Sequence, residues 1–412
     1  MTSIRINSAL ALLLLCPTAL MAREPAGTWV GSWAASQQIP EPNNAVPADN
    51  LRGATLRQIV HLSAGGSRIR LRVSNAFGTG PLHLIAVHVA HPQSAASSRI
   101  DPNSDLAVTF GERADVLIPA GAEYISDPVR YAVAPLSDLA ITLQIDGSPE
   151  QQTGHPGSRA TSYLVVGASV SALELPAAQS IDHWYFLSGV DVAVDADAAA
   201  VVILGDSITD GHGATTNGND RWPDVLAARL QRNTASGRVS VLNEGIGGNR
   251  LLADGTGPNA VARFDRDVLA QAGVRYLIVL EGINDIGTLT RTAVASEAQH
   301  DELVRQLIDA YRQITLRAHA HAIRVIGATI LPFMGSDYYH PTPANEADRK
   351  SVNAWIRAPG HFDAVIDFDK VAADPAHPDH LRPDYDTGDH LHPSPAGYRA
   401  MADAIPLELF RK

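Results

Sequence analysis

The spacing of apolar residues changes once along this chain, and that change constrains the fold more than any other feature. Between about Trp29 and Val194 the apolar residues come in short runs at period two, bounded by Gly, Pro, Asn and Ser; Ile69 to Val73, Leu106 to Phe110 and Leu139 to Ile145 are examples. Such alternation sets one face of a strand in a core and the other in water. Several strands of this kind, separated by turn residues, predict an all-β sandwich of jelly-roll type. No helical pattern of useful length competes with it. After about Ala198 strand and helix alternate. Val201 to Leu204 reads as a buried strand and Pro223 to Arg232 as a helix with Pro in its first turn. Further strands are expected at Val239 to Leu242, Tyr276 to Leu280, Val325 to Ile330 and Val365 to Phe368, and helices near 299–319, 344–357 and 395–410. This alternation predicts an α/β domain, a parallel sheet with helices on both faces. In such sheets ligands sit beyond the carboxyl ends of the strands.

With 412 residues the chain is long enough for two or three ordinary domains of about 150 residues. Its first residues read as a secretory signal: Arg5 supplies the positive charge, Ala9 to Leu15 the apolar stretch, and Ala22 the cleavage position. The stretch is too short to span a membrane, and no other run approaches the roughly 20 apolar residues that a span needs. The expected organisation is therefore a signal peptide at 1–22, a β-sandwich domain at 23–195 and an α/β domain at 196–412, exported to the periplasm or the medium. Cys16 is the only cysteine, so the mature chain has no disulfide and no thiol nucleophile. Acylation of Cys16 is disfavoured because Leu15 stands where a small residue is needed. Lys and Arg number 32 against 44 Asp and Glu, a net charge of −12. An acidic surface with no basic stripe does not suit a phosphate backbone, so no nucleic-acid partner is expected. No phosphate-binding loop or convincing dinucleotide fingerprint occurs, and no cofactor is expected.

The strand ends are where chemistry should be sought. The first α/β strand runs into Gly205-Asp206-Ser207-Ile208-Thr209-Asp210-Gly211, the second into Asn243 to Arg250 with its glycine cluster, and the third into Glu281-Gly282-Ile283-Asn284-Asp285. The last loop before the final helix holds Asp386-Thr387-Gly388-Asp389-His390-Leu391-His392-Pro393. Each has a bland reading: a serine after a strand is usually a turn or cap residue, glycines take loop conformations, and Asn284 can cap a helix. Together they offer a nucleophile in Ser207, a base in His392 and an orienting carboxylate in Asp389 three residues before it. A glycine N–H and the Asn284 amide add two kinds of oxyanion donor on the same sheet edge.

These four blocks, in this order over Ala198 to Lys412, resemble the SGNH or GDSL-type ester hydrolase superfamily, specifically secreted bacterial members with an appended β-sandwich. The resemblance implies that Ser207 is the nucleophile, that Asp389 and His392 complete its triad, and that the backbone of Ser207 and Gly248 with the Asn284 side chain form the oxyanion hole. Gly247 is the alternative to Gly248, since adjacent glycines leave the register open. Ile208 stands where the family usually has Leu. The expected reaction is hydrolysis of short acyl esters, acetyl above all and on carbohydrates in some relatives, without metal. General short-chain carboxylesterase or lysophospholipase activity is the alternative.

Two other chemistries compete with this one. Asp206, Asp210, His212, Asp389, His390 and His392 could ligate a metal, though no H-E-x-x-H motif occurs. An α/β-hydrolase needs a G-x-S-x-G elbow, which is absent. For the β region alone, carbohydrate binding through Trp29, Trp33, Trp184 and Tyr185 competes with a role as core, as a wall of the active site, or as support. The segment Phe333 to Asn345, with Tyr338, Tyr339 and His340, is either pocket lining or a surface connection.

Overall fold

The structure, a computed structural model, describes residues 28–147, 149–194, 197–233 and 238–411. The expected leader, with Arg5, Cys16 and Ala22, lies outside them. Among the described residues no helix is long and apolar enough to cross a membrane.

The period-two runs form antiparallel sheets. One holds Thr28–Ala34, Leu187–Val194, Ile69–Ser74 and Glu123–Ile125 in that spatial order. The larger one runs Gln179–Ile181, Ser162–Val166, Ala54–Leu62, Ser137–Asp146, Leu82–Ala90 and Leu106–Val108, with Val116–Ile118 also paired to Leu82–Ala90. Its central strand departs from simple alternation, because Leu139 to Ile145 is buried on both faces. The outer face is covered by loops that bring Ile100 and Leu175 onto Ile59, Ala140 and Tyr163. Arg57, on the neighbouring strand, is buried there and donates to Thr142 Oγ1 and to the carbonyls of Ser98, Val170 and Ala172. Burial pushes its pKa down to about 10. Trp33, Trp184 and Tyr185 are core residues, the first two edge to face at 4.8 Å, and Arg70 covers the ring of Trp29. The three buried rings present no open face for a sugar, and Trp29 is half-buried.

The strand–helix alternation forms a five-stranded parallel sheet in the order Val239–Gly245, Ala199–Gly205, Val274–Leu280, Arg324–Ala328, Ala364–Ile366. Ala199–Gly205 is buried along its whole length, as a strand covered by helices on both faces must be. The sheet order reverses direction around this first strand, which is where an open α/β sheet forms its crevice. The main helices are Trp222–Arg232, Glu297–Ala320, Pro343–Arg357 and Pro395–Asp403. Capping pairs Ser296 with Gln299 and Thr342 with Asn345 fix the starts of the second and third. Three elements of the α/β region end earlier than expected. The strand expected to reach Ile330 stops at Ala328, because Ile330 N–H turns away to the Asn353 side chain. The next stops at Ile366, where Asp367 caps the short helix Phe368–Ala372. The last helix ends at Asp403, ahead of Pro406, and Leu407–Phe410 is a 3-10 turn.

The two regions share one apolar core. Thr28–Ala34 lies against Val239–Gly245, and a Cβ at Gly31 would sit 2.7 Å from the Leu242 side chain. Polar contacts cross the same seam: Ser36 Oγ lies 2.8 Å from both Glu244 Oε2 and Asp267 Oδ2, and Arg72 donates to the Ala270 carbonyl at 3.0 Å.

Candidate active site

The first strand ends in a turn that only glycine permits at Gly205, where a Cβ would stand 2.9 Å from the Leu280 carbonyl and 2.2 Å from Thr209 Oγ1. Asp206 then accepts from Ile208 N–H at 2.9 Å and caps the one-turn helix Ser207–Asp210. Ser207 is thereby the first residue of a helical turn, with its backbone N–H unbonded among the described residues and its side chain at the foot of a cavity. Ser207 Oγ is 2.8 Å from His392 Nε2. His392 Nδ1 is 2.6 Å from Asp389 Oδ2. The carboxylate can only accept, so Nδ1 carries the hydrogen and Nε2 presents its lone pair to the serine hydroxyl.

The i, i+3 spacing of Asp389 and His392 works because the loop wraps round the carboxylate. Asp389 Oδ1 accepts from Leu391 N–H at 2.9 Å and from His392 N–H at 2.8 Å. Burial raises the Asp389 pKa, but the hydrogen bonds from His392 and Leu391 outweigh it and hold the carboxyl well below its ordinary range. Asp389 is therefore ionised at any pH at which His392 acts as a base.

The other strand ends close on the same cavity. Gly247 N–H donates to Asp210 Oδ2 at 3.1 Å, whereas Gly248, at φ 72°, has no partner for its N–H among the described residues. Of the two glycines, Gly248 is thus the one whose N–H is left for a ligand among the described residues. Asn284 Nδ2 reaches the Asn249 carbonyl at 2.7 Å, and Asn284 Oδ1 accepts from the Tyr339 hydroxyl at 2.6 Å. The first bond fixes which end of the amide is the donor, because a carbonyl can only accept, and the Tyr339 hydroxyl therefore donates. The cavity, of about 580 Å³, is lined by Ser207, Gly247, Gly248, Thr256, Asn284, Asp337, Tyr338, Tyr339, Leu391 and His392, with His212 and Asp389 at its edge. Both tyrosines of the segment Phe333 to Asn345 line it, Tyr339 buried and Tyr338 standing out with Arg291 over its ring at 3.9 Å. His340 is exposed and outside the lining.

One guanidinium ties the three strand ends together. Arg263 is fully buried and donates to the carbonyls of Gly205 at 3.0 Å and Glu244 at 2.6 Å, to Asn249 Oδ1 at 3.0 Å and to Asp267 Oδ2 at 3.0 Å, with Glu281 at 3.5 Å. Around it, burial pushes Asp206 up to about 7 and Asp285 up to about 6, and raises Glu244 and Glu281 well above the ordinary range. Asp285 spends its two oxygens on Leu251 and Leu252 N–H groups at 2.9 and 3.0 Å, holding the loop that follows the glycines. Arg263 carries no motif signal. Its importance arises only once three loops from distant parts of the chain converge.

The metal reading fares differently from the serine reading. Of its six candidates only Asp389, His392 and His212 come together. Both ring nitrogens of His392 are engaged by Ser207 and Asp389. Arg159 donates to His212 Nδ1 at 3.3 Å, which sets a positive charge where a cation would approach. Asp206 caps Ile208, Asp210 faces His155, and His390 is paired with Asp386 at 2.6 Å. The sequence offers His212 only as a metal ligand, not as a neighbour of the base. Its ring lies 4.0 Å from that of His392, and burial, then the charges of His392 and Arg159, push its pKa down to about 4. It stays neutral and leaves Asp389 to compensate His392 alone.

Residues 203–400 match the GDSL-like lipase/acylhydrolase family. Among solved structures the chain is similar to a GDSL-like lipase from Bacteroides thetaiotaomicron, at 20% identity over 50% of this chain and 84% of that one with a TM-score of 0.35. It is also similar to an acetyl xylan esterase, at 17% identity over 50% of this chain and 96% of that one with a TM-score of 0.38. No curated protein sequence matches it. By the match over residues 203–400, the C-terminal half of this chain belongs to the GDSL-like lipase/acylhydrolase family of carboxylic ester hydrolases.

Proposed function

We propose that the protein hydrolyses short acyl esters, acetyl first, on polar alcohols such as sugars, through an acyl-enzyme on Ser207. The observation that carries this reading is the line Asp389–His392–Ser207, in hydrogen-bond contact throughout and opening into a cavity with unbonded N–H groups beside it. In the first half-reaction His392 Nε2 takes the hydroxyl proton as Ser207 Oγ bonds to the ester carbonyl carbon. The carbonyl electron pair moves to oxygen, where the N–H groups of Ser207 and Gly248 and the Asn284 amide receive it. Collapse of this intermediate breaks the bond to the alcohol oxygen, which leaves with the proton from His392. In the second, water gives its proton to His392, attacks the acyl carbon, and releases the acid with Ser207 restored.

The short-acyl preference is supported by the lining: Leu391 is its one aliphatic side chain of any length, the rest being glycines, polar groups and two tyrosines. Tyr338, 53% exposed at the mouth with Arg291 over its ring, offers a hydroxyl and a neighbouring guanidinium to the hydroxyl groups of the alcohol portion. A leader at 1–22, as the sequence is read, fits a reaction outside the cytoplasm.

The test is p-nitrophenyl ester hydrolysis by the full chain and by Ser207→Ala and His392→Ala. Each variant is expected to lower kcat by about 10⁴-fold or more. Activity within a few fold of the parent would sink the assignment. Across acetate, butyrate and decanoate, kcat/KM is expected to fall with length, and an acetylated oligosaccharide is expected to be deacetylated. A preference for decanoate or for a lysophospholipid selects the lipolytic alternative instead.

A further inference from the structure

We propose that His155, a residue of the antiparallel region, is a positioning residue for the oxyanion site and acts through Asp210 on the Gly247–Gly248 peptide. The inference rests on the ester-hydrolase reading and adds to it a group that lies outside every motif block, 52 residues before Ser207.

His155 sits in the two-residue strand Gly154–His155, paired with Trp184–Tyr185, and its ring stacks on Trp184 at 5.8 Å. His155 Nδ1 is 2.8 Å from the Ser36 carbonyl, which can only accept, so Nδ1 carries a hydrogen. On the other side Nε2 is 2.9 Å from Asp210 Oδ1. One proton lies in that contact whichever atom owns it, so the ring and the carboxyl form a closed, neutral unit. Both are nearly inaccessible, at 3% exposure each, and a buried carboxylate without such a partner is costly.

Asp210 is the last residue of the turn that Ser207 begins, and its N–H is bonded to the Asp206 carbonyl at 2.8 Å. Its carboxylate is therefore rigidly placed relative to the nucleophile. The oxygen not used by His155 accepts Gly247 N–H. With that donor committed to Asp210, the next N–H, that of Gly248, is the one left for the cavity. Two adjacent glycines have the widest backbone freedom of any dipeptide, so this peptide needs an external clamp to hold one orientation. The strap that delivers His155 is pressed against the clamp: a Cβ at Gly157 would lie 1.8 Å from Asp210 Oδ2. The antiparallel region thus supplies the polar contact that orients the oxyanion loop.

The experiment uses the full chain and counts active sites by complete phosphonylation of Ser207 with a fluorophosphonate, so that kcat is expressed per titrated site. If the parent does not hydrolyse p-nitrophenyl acetate, or if Ser207→Ala hydrolyses it like the parent, the underlying reading fails before His155 is at issue. With that reading standing, His155→Ala is expected to lower kcat per site by roughly 10- to 100-fold, since a donor is displaced and not removed. KM is expected to change far less, and phenylboronic acid, which forms a tetrahedral adduct, is expected to bind more weakly by a similar factor. His155→Gln, whose amide can still donate to Asp210, is expected to restore most of the loss. A kcat per site equal to the parent's, with fewer titratable sites or a lower Tm, overturns the proposal in favour of simple structural support. Should His155→Ala yield too little folded protein, Asp210→Asn is read by the same criterion: an unchanged kcat per site overturns the proposal and a lowered one sustains it.

Discussion

The antiparallel region and the parallel sheet each bury an arginine, and the surroundings of the two differ. Arg57 meets a threonine hydroxyl and three loop carbonyls, and it pins coverings onto the outer face of a sheet. Arg263 meets two strand-end carbonyls, an asparagine and two carboxylates, all within reach of the loops that carry Ser207, Gly248 and Asn284. The first secures a packed body. The second secures the relative positions of three loops, and it does so with a buried charge that needs the carboxylates around it. The buried ionic cluster around Arg263 sits where loops from three strands must agree to within a fraction of an ångström.

That contrast can be broken by substitution. The largest effect is expected at the donor itself: Asn284→Ala should lower kcat by about 10²- to 10³-fold with little change in KM, as read by steady-state p-nitrophenyl acetate kinetics. Next, Arg263→Met should cost about 3–5 kcal/mol in urea unfolding, because its carboxylate partners are left unpaired, and should lower kcat per titrated site as well. Arg57→Met should cost about 1–3 kcal/mol from carbonyls left without a donor while leaving kcat per site unchanged. An equal effect of the two arginines on kcat per site would erase the distinction. Smaller again is Tyr339→Phe, which leaves the Asn284 amide without its orienting hydroxyl and should lower kcat by about tenfold.

The smallest expected effect is on pH dependence. Asp206 and Asp285 hold their protons up to about 7 and about 6 in the folded chain, against about 4 when unfolded. The folded state binds more protons between those limits, so the contribution of these two groups to stability is fully present below about pH 4 and is lost as pH rises to about 7. Asp285→Asn should flatten that decline in Tm, and an unchanged slope would show that Asp285 is not buried as described. Asp389, depressed in the folded chain, acts in the opposite sense and withdraws stability only in stronger acid.

What the sequence disclosed follows the same division. The change of periodicity located both kinds of sheet, because alternation and buried runs are properties of neighbours in the chain. Ser207 and Asn284 stand out in the sequence because each follows a strand, and Asp389 and His392 because they share the short loop before the last helix, each block having its own local signature. Asp389 reaches His392 through a turn three residues long, so even their contact was encoded locally. Gly247 and Gly248 are alike in sequence and differ through Asp210, a distant residue that takes the Gly247 N–H. Arg263, Tyr339's bond to Asn284, His212 against His392, and His155 behind Asp210 all depend on distant segments meeting. Trp33 and Trp184 were ambiguous for the reverse reason, since an aromatic residue in a strand has the same signature in a core as on a binding face, and only burial decides.

The central claim is that the chemistry resides on Ser207 at the edge of the parallel sheet. Treating the full chain with a fluorophosphonate and mapping the adduct by peptide mass spectrometry tests it most directly. The expected result is one phosphonyl group per chain, on the peptide containing Ser207, with ester hydrolysis lost in proportion to labelling. Hydrolysis that survives complete modification of Ser207, or loss of activity with the label on another residue, would contradict it.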